Sequence, residues 1–303
     1  MNIFIVKLFT SNTYESEYNA QDYCFEKNRV AIGWGLQENM INGKETPEEL
    51  VQMNINYNYK YCKESLSRFK TALKNIKDKM KKGDFIWTQN NDGRNFRLGK
   101  VTDDAPFIDK DNLLIGLSRH CEWHTIDYND VPGEIINSYQ RRTITLFMKH
   151  NLHDFEEYFN YLYSGDCSLN KRLNYKQLLH YDDLEDLLGI YLQKHKDFQY
   201  YLFPSSNKIS TKLIEYELRR EKNGKIEKAC VQCKTGDSIV DESFFKLNEF
   251  KDYRIYISTM KNDNYDKKGK NVKTIFTDEL WEWAKNNKNL LPGRIQKYIE
   301  ICE

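Results

Sequence analysis

The segment Ala229-Cys230-Val231-Gln232-Cys233-Lys234-Thr235-Gly236 constrains this chain most, together with Leu213-Ile214-Glu215-Tyr216-Glu217-Leu218 before it. Both read as short β-strands, in which alternate side chains share a face. Glu215 and Glu217 then lie on one face of their strand. Gln232 and Lys234 share a face of the other, about 7 Å apart by strand rise. Paired as a hairpin-like unit, the two strands bring an acid, an amide and a lysine together. Such a set can hold a hard divalent ion beside a phosphodiester. The same pattern also fits a solvated sheet face with cross-strand ion pairs.

At 303 residues the chain can form two cores. It carries 46 basic and 45 acidic residues, a net charge of +1. Net charge therefore does not announce a polyanionic partner, and any basic surface must come from local clustering. Seven dispersed cysteines, an odd number, point to a reducing, cytoplasmic setting and away from a disulfide framework. No apolar run approaches the ~20 residues of a membrane span. Met1–Lys7 is too short and poorly flanked for a signal peptide and reads as a first strand.

Along the first half, Arg29–Gly35 reads as a strand ending in a glycine-flanked bend. Thr46-Pro47-Glu48-Glu49 is a helix start, with a capping Thr, Pro at the first helical position and Glu three residues on. Helical periodicity resumes from about Tyr59 to Met80. Gly83–Gln89 and Phe96–Val101 read as strands joined by the turn-rich Asn90-Asn91-Asp92-Gly93. Further strands are expected around Trp123 and over Thr143–Phe147. Residues 150–174 form a junction that contains a short helix from Asp154 to Tyr163. Beyond it come a helix capped at Asp182 and running to about Lys196, and strands near Phe198–Phe203 and around Glu215. Strands around Gln232 and over Tyr253–Thr259 follow, then helices near Asp278–Asn286 and from Arg294. Helix, several strands, helix is the order of a compact α/β or α+β domain.

This second half, from about Leu178 to Thr259, resembles the PD-(D/E)xK nuclease superfamily. Its Val231-Gln232-Cys233-Lys234-Thr235-Gly236 is similar to the Mrr-type restriction endonucleases, which have Gln in place of the middle acid. The resemblance implies Mg²⁺ as cofactor. It implies Glu215 as the first metal-binding acid, with Glu217 as the other candidate, and Gln232 as an amide-oxygen ligand with Cys233 beside it in the metal set. Lys234 would orient the attacking water and offset charge on the phosphate. Glu185 matches an extra acid that many members place near the metal. The chain departs from the family in having no Pro-Asp dipeptide, and Gln in place of Glu removes one negative charge. Glu217 leads toward Arg219-Arg220-Glu221, read as an exposed turn, so Glu215 is preferred. Glu185 also has a structural reading, because it stands three residues after Asp182 and can complete a capping box.

Other metal readings are weaker. Cys230 and Cys233 fall at an odd spacing, so a strand sends them to opposite faces and disfavours a shared zinc. His120, Cys121 and His124 lack a second ligand pair at a suitable spacing.

In the first half, Ile32-Gly33-Trp34-Gly35, Gly83-Asp84-Phe85-Ile86-Trp87 and Leu98-Gly99-Lys100-Val101 resemble the EVE branch of the PUA-like superfamily. The resemblance continues through Cys121-Glu122-Trp123-His124 and Val131-Pro132-Gly133 to about Phe147. It implies a small β-barrel that holds a modified base in an aromatic pocket, with Trp34, Trp87 and Trp123 as the pocket candidates. Each is also readable as core packing, the commoner role of a tryptophan. Asp84, Asn90 and Asn12 are alternatives for reading a base edge. Trp281 and Trp283 read as helix-packing residues. Lys70, Lys74, Lys77, Lys79, Lys81 and Lys82 form a basic run that is either a solvated face or a phosphate contact.

The expected fold class is α+β. Residues 1–163 would be a PUA-like small β-barrel with helices, the modified-base reader. Residues 175–303 would be a restriction-endonuclease-like α/β domain with a mixed central sheet. Together these imply a modification-dependent restriction endonuclease that recognises a modified base in DNA and hydrolyses phosphodiester bonds with Mg²⁺ in phage defence. A homodimer is expected, since double-strand cleavage needs two active sites. The alternatives are a nuclease-inactive nucleic-acid-binding or adaptor protein, and a nuclease acting on RNA or gated by a small ligand.

Overall fold

The chain divides into two units, Met1–Val131 with Ile135–Leu173, and Pro132–Glu134 with Asn174–Glu303. The computed structural model describes residues 1–8, 20–61, 66–90, 93–110, 112–113, 115–140, 145–148, 153–165, 173–202, 214–234, 250–260 and 271–302. The architecture is mixed α+β, with a curled six-stranded sheet in the first unit and a mixed five-stranded sheet in the second.

In the first unit the strands are β1 (Ile3–Val6), β2 (Arg29–Trp34), β3 (Phe85–Gln89), β4 (Phe96–Val101), β5 (Ile115–Ile126) and β6 (Thr145–Met148). Their order is β2-β5-β4-β3-β1-β6, with β1 and β3 parallel and the other pairs antiparallel. The long β5 makes the curl. Its first half pairs with β2, from Trp34↔Ile115 to Arg29↔His120. Its second half pairs with β4, from Val101↔Cys121 to Phe96↔Ile126. One strand thus serves two neighbours in succession, and the sheet turns a corner along it.

The helices of this unit are α1 (Ala20–Glu26), α2 (Pro47–Tyr61), α3 (Leu66–Lys74), most of α4 (Gly133–Gln140) and α5 (His153–Ser164). The expected start of α2 is present as a reciprocal cap. Glu49 N–H donates to Thr46 Oγ1 (3.2 Å), and Thr46 N–H donates to Glu49 Oε2 (2.8 Å). The helical run expected from Tyr59 to Met80 is divided between α2 and α3, and a π turn at Asn75–Lys79 follows α3.

Both faces of the sheet are covered. Phe4, Ile86, Val101 and Cys121 join Leu50, Ile55, Leu73 and Ile76 in one core. On the other face Phe85 and Trp87 meet Phe159 of α5 edge-on, at ring separations of 5.9 and 5.2 Å. This two-sided burial explains why β3 reads as an unbroken apolar run rather than an alternating one.

Gly99 of β4 shows how tightly the sheet is packed. A Cβ built there would lie 2.3 Å from Cys121 Sγ and 2.6 Å from the Trp123 ring. We expect Gly99→Ala to lower stability by about 1–3 kcal/mol through overpacking. Adding Cys121→Ala should recover part of the loss, and denaturant unfolding of the single and double variants measures both effects.

The second unit holds β7 (Tyr201–Leu202), β8 (Tyr216–Lys222), β9 (Lys225–Lys234), β10 (Tyr253–Thr259) and β11 (Val272–Thr274), in the order β11-β10-β9-β8-β7. β9 is central, antiparallel to β8 and parallel to β10. Arg219, Arg220 and Glu221 do not form an exposed turn. They continue β8 to a tight turn at Asn223 and Gly224, both at positive φ. Arg220 is buried there, donating to Phe198 O (2.7 Å) and to Glu227 (2.7 Å).

The helices are α6 (Tyr175–Leu178), α7 (Tyr181–Lys194), α8 (Thr277–Asn286) and α9 (Gly293–Cys302). Leu184, Leu187, Leu188, Tyr191 and Leu192 form the buried side of α7. Trp283 packs edge-on against Tyr191 (5.3 Å), and Trp281 stacks on Tyr175 (4.4 Å). Both tryptophans therefore serve helix packing.

Candidate active site in the second unit

β9 runs as a regular strand to Lys234, so Gln232 and Lys234 share one face while Val231 and Cys233 share the other. Glu215 is not part of the regular ladder. It stands in a bend before β8, and its N–H donates to Val231 O at 3.0 Å, while Tyr216 is the register partner of Val231. Two consecutive residues thus face one, the arrangement of a β-bulge, which re-aims a side chain.

The bulge separates the two glutamates that simple alternation would place together. Glu215 Oε1 lies 3.6 Å from Lys234 Nζ, with the two side chains 24% and 26% exposed. Glu217 is instead held by Arg219, whose Nε and Nη2 both lie 3.1 Å from Glu217 Oε1. Of the two candidates, Glu215 is therefore the one beside the lysine.

Glu185 completes the cluster from α7. Burial pushes its carboxyl up to about 7, and the Glu215 charge adds to the rise, partly offset by Lys234. Two carboxylates and one ammonium consequently share a small region. Glu185 takes no part in capping α7. The N-cap is His180, whose ring accepts from Asp182 N–H (3.4 Å), and Asp183 Oδ2 accepts from His180 N–H (2.8 Å). The cap begins two residues earlier than the Asp182 signal implied, which leaves Glu185 in the second turn.

Gln232 is buried, and its Oε1 has no hydrogen-bond partner among the described residues. Such an acceptor is costly unless something supplies a positive partner. Cys233 is a buried free thiol. Its side chain is buried on the α7 side of β9, with Sγ 3.9 Å from Leu184 O, and burial holds the thiol well above its usual range. Its side chain thus points away from the face of β9 that carries Gln232 and Lys234.

Two residues that sequence reading passed over set this geometry. Tyr216 donates from its hydroxyl to Glu185 O (2.8 Å), tying the start of β8 to the turn that carries Glu185. Gly189 permits that approach, because a Cβ there would lie 2.7 Å from the Tyr216 hydroxyl. A glycine inside an otherwise amphipathic helix was the available signal.

The donor set fits a hard divalent cation. Glu215 and Glu185 offer carboxylates, and a Mg²⁺ site fills its remaining positions with water. Among the described residues no group of three or more His, Cys, Asp and Glu side chains is placed to hold a metal. The cluster brings two carboxylates, Glu215 and Glu185, beside Lys234. Cys230 and Cys233 occupy opposite faces of β9, both as buried free thiols.

In the first unit, Trp87 and Trp123 do not share a pocket. Trp87 pairs with Leu98, and Leu98 with His124, whereas Trp123 pairs with Gly99. The one-residue offset puts Trp87 and Trp123 on opposite faces of the sheet. Trp87 is fully buried. Trp123 packs against Phe25 at 5.4 Å and donates from Nε1 to Arg29 O (2.8 Å). Trp34 ends β2 opposite Ile115, and its side chain lies outside the described residues.

Asp84 is a structural clamp rather than a base reader, accepting from Asn2 N–H (2.7 Å), Asn2 Nδ2 (3.1 Å) and Lys81 N–H (2.8 Å). Asn90 accepts from Arg97 Nε (3.1 Å). Asn12 lies outside the described residues. His120 stacks on Phe107 and His124 packs on Tyr163, while Cys121 is buried in the core, so these three form no metal set.

Among the described residues no helix is long and apolar enough to cross a membrane. No curated protein and no solved structure matches this chain. Residues 7–148, which lie largely within the first unit, match a family described as a domain of unknown function (DUF8426).

Proposed function

We propose that the chain is a Mg²⁺-dependent endonuclease of the PD-(D/E)xK kind, with its hydrolytic site in the second unit. The carrying observation is the 3.6 Å approach of Lys234 Nζ to Glu215 Oε1, next to a Glu185 whose carboxyl is raised by burial and then by the Glu215 charge. Glu215, Glu185 and Gln232 would hold the ion. When bound, it would polarise a phosphoryl oxygen and lower the pKa of a bound water. Lys234 supplies a compact positive charge where negative charge develops on the phosphate. It also orients the attacking water opposite the leaving oxygen. The bulge at Glu215 and the Tyr216–Glu185 link fix the two carboxylates against each other, so the site is preorganised on β8, β9 and α7.

The curled sheet of the first unit supports its assignment as a PUA-like reader of a modified base. Trp87 is excluded from the base pocket by its burial. The joined activity is modification-dependent restriction of DNA by a homodimer in phage defence, in the cytoplasm. The test is digestion of unmodified, 5-methylcytosine, 5-hydroxymethylcytosine and N6-methyladenine duplexes beside RNA, with and without Mg²⁺. Mg²⁺-dependent cutting of one modified DNA is expected. Equal cutting of all the DNAs removes the reader assignment, and no cutting of any substrate leaves a binding or adaptor protein.

A further inference from the structure

The most basic stretch of the chain takes no part in the site above. Between Lys70 and Lys82 stand six lysines and a single acid, Asp78, in a chain whose net charge is only +1. The structure fixes which way this stretch faces. Ala72, Leu73, Ile76 and Met80 are buried in the core of the first unit. Lys70, Lys74 and Lys77 are exposed on the opposite side, Lys70 and Lys74 one turn apart on α3 and Lys77 in the π turn that follows it. They line a hollow of about 370 Å³ with Thr71, Asp78 and Tyr59 of α2. Tyr59 is 40% exposed, and Lys70 Nζ lies 5.3 Å from its ring centroid. Among the described residues no carboxylate pairs with Lys70, Lys74 or Lys77 within 4 Å.

We propose that this α2–α3 hollow is a docking surface for the phosphodiester backbone of DNA. The backbone positions of the three lysines span roughly 10 Å, about three nucleotide steps at ~3.4 Å each. Their direction is set by the buried face beneath them, so the positive field is held outward without reorganisation. The exposed Tyr59 ring gives a sugar or base a flat apolar contact beside the cations, the combination that strand-binding grooves use. Three cations against one acid make the hollow complementary to a polyanion. The identity of the polyanion as DNA rests on the nuclease reading; the hollow itself does not.

The experiment measures binding of the full chain to a fluorescent 30-base-pair duplex by anisotropy, without Mg²⁺ and in a Lys234→Ala background, so that cleavage cannot intervene. The triple variant K70A/K74A/K77A is expected to weaken binding at least ~10-fold at 0.1 M salt. It should also lower the slope of log K against log salt by 2 to 3, about 0.9 for each lost contact. A matched triple, K222A/K225A/K228A, removes the same charge from a second hollow of about 650 Å³ on the other unit and should change affinity less than ~2-fold. An unchanged slope in the first triple overturns the proposal, as does an equal loss in both triples or an absence of DNA binding by the parent chain. Should the first triple fail to fold by circular dichroism, K74A and K77A singly must each lower the slope by about 0.9, and an unchanged slope in both overturns it. Binding that depends on these lysines in a chain that cuts no DNA would sink the nuclease reading and leave this one standing.

Discussion

Replacing Lys234 with alanine is expected to lower Mg²⁺-dependent nicking of a supercoiled plasmid by at least ~100-fold, while the fold is retained. Among the described residues Lys234 is the cation paired with Glu215, so on the proposed mechanism its loss removes the charge that offsets the developing phosphorane and leaves the water unaligned. The fold survives because the pair is partly exposed and contributes no more than about 1 kcal/mol to stability. Divalent-ion affinity should not fall, since removing a nearby ammonium can only make the carboxylates more attractive to a cation. Lys234→Arg keeps the charge in a broader, planar group and should restore a minor part of the rate. Single-turnover kinetics separate these effects from product release. Unchanged cleavage in Lys234→Ala would remove this residue from the reaction.

The second large effect concerns Glu185. In the folded chain burial and the Glu215 charge hold its proton to about pH 7. An unfolded glutamate releases its proton near pH 4.3. Between these values the folded state binds more protons than the unfolded state, so stability falls as pH rises through that window. The charged form therefore costs stability above pH 7, and none of this cost is present below the unfolded value. Glu185→Gln removes the effect. In metal-free protein we expect Glu185→Gln to equal wild type near pH 4 and to exceed it by about 1–2 kcal/mol at pH 8, after allowance for solvent screening of this half-buried group. Mg²⁺ should reverse the order at pH 8, stabilising wild type and having little effect on the variant. Urea unfolding at the two pH values, with and without Mg²⁺, measures all four quantities. If the variant and wild type respond to pH alike, Glu185 is not the group that senses Glu215.

Much of the second unit was legible because its signals are local. The apolar run through Val231 and the Tyr253–Thr259 strand announce β9 and β10 by composition alone. Thr46 and Glu49 likewise announce α2 by a cap that needs only four residues. The misread features depend on pairing between distant segments. Glu215 and Glu217 alternate in a regular strand, but the ladder with Val231 inserts a bulge between them. Trp87 and Trp123 look like partners in sequence, yet the register through Leu98 and Gly99 places them on opposite faces. A one-residue offset decides that outcome, and no local pattern encodes it. The α7 cap fell to His180 and Asp183 because His180 is itself buried, and burial lets its ring serve where Asp, Ser or Thr is the usual signal. α4 and the three-residue β11 were not anticipated, the latter being too short to carry a periodic signal.

Titration calorimetry of Mg²⁺ into the metal-free chain at pH 8 tests the central claim most directly, comparing wild type with Glu215→Gln and Glu217→Gln. The shared-ion account predicts saturable binding to wild type, its loss in Glu215→Gln and its persistence in Glu217→Gln, whose carboxylate belongs to Arg219. Equal binding by all three proteins, or no saturable binding to wild type, would contradict it.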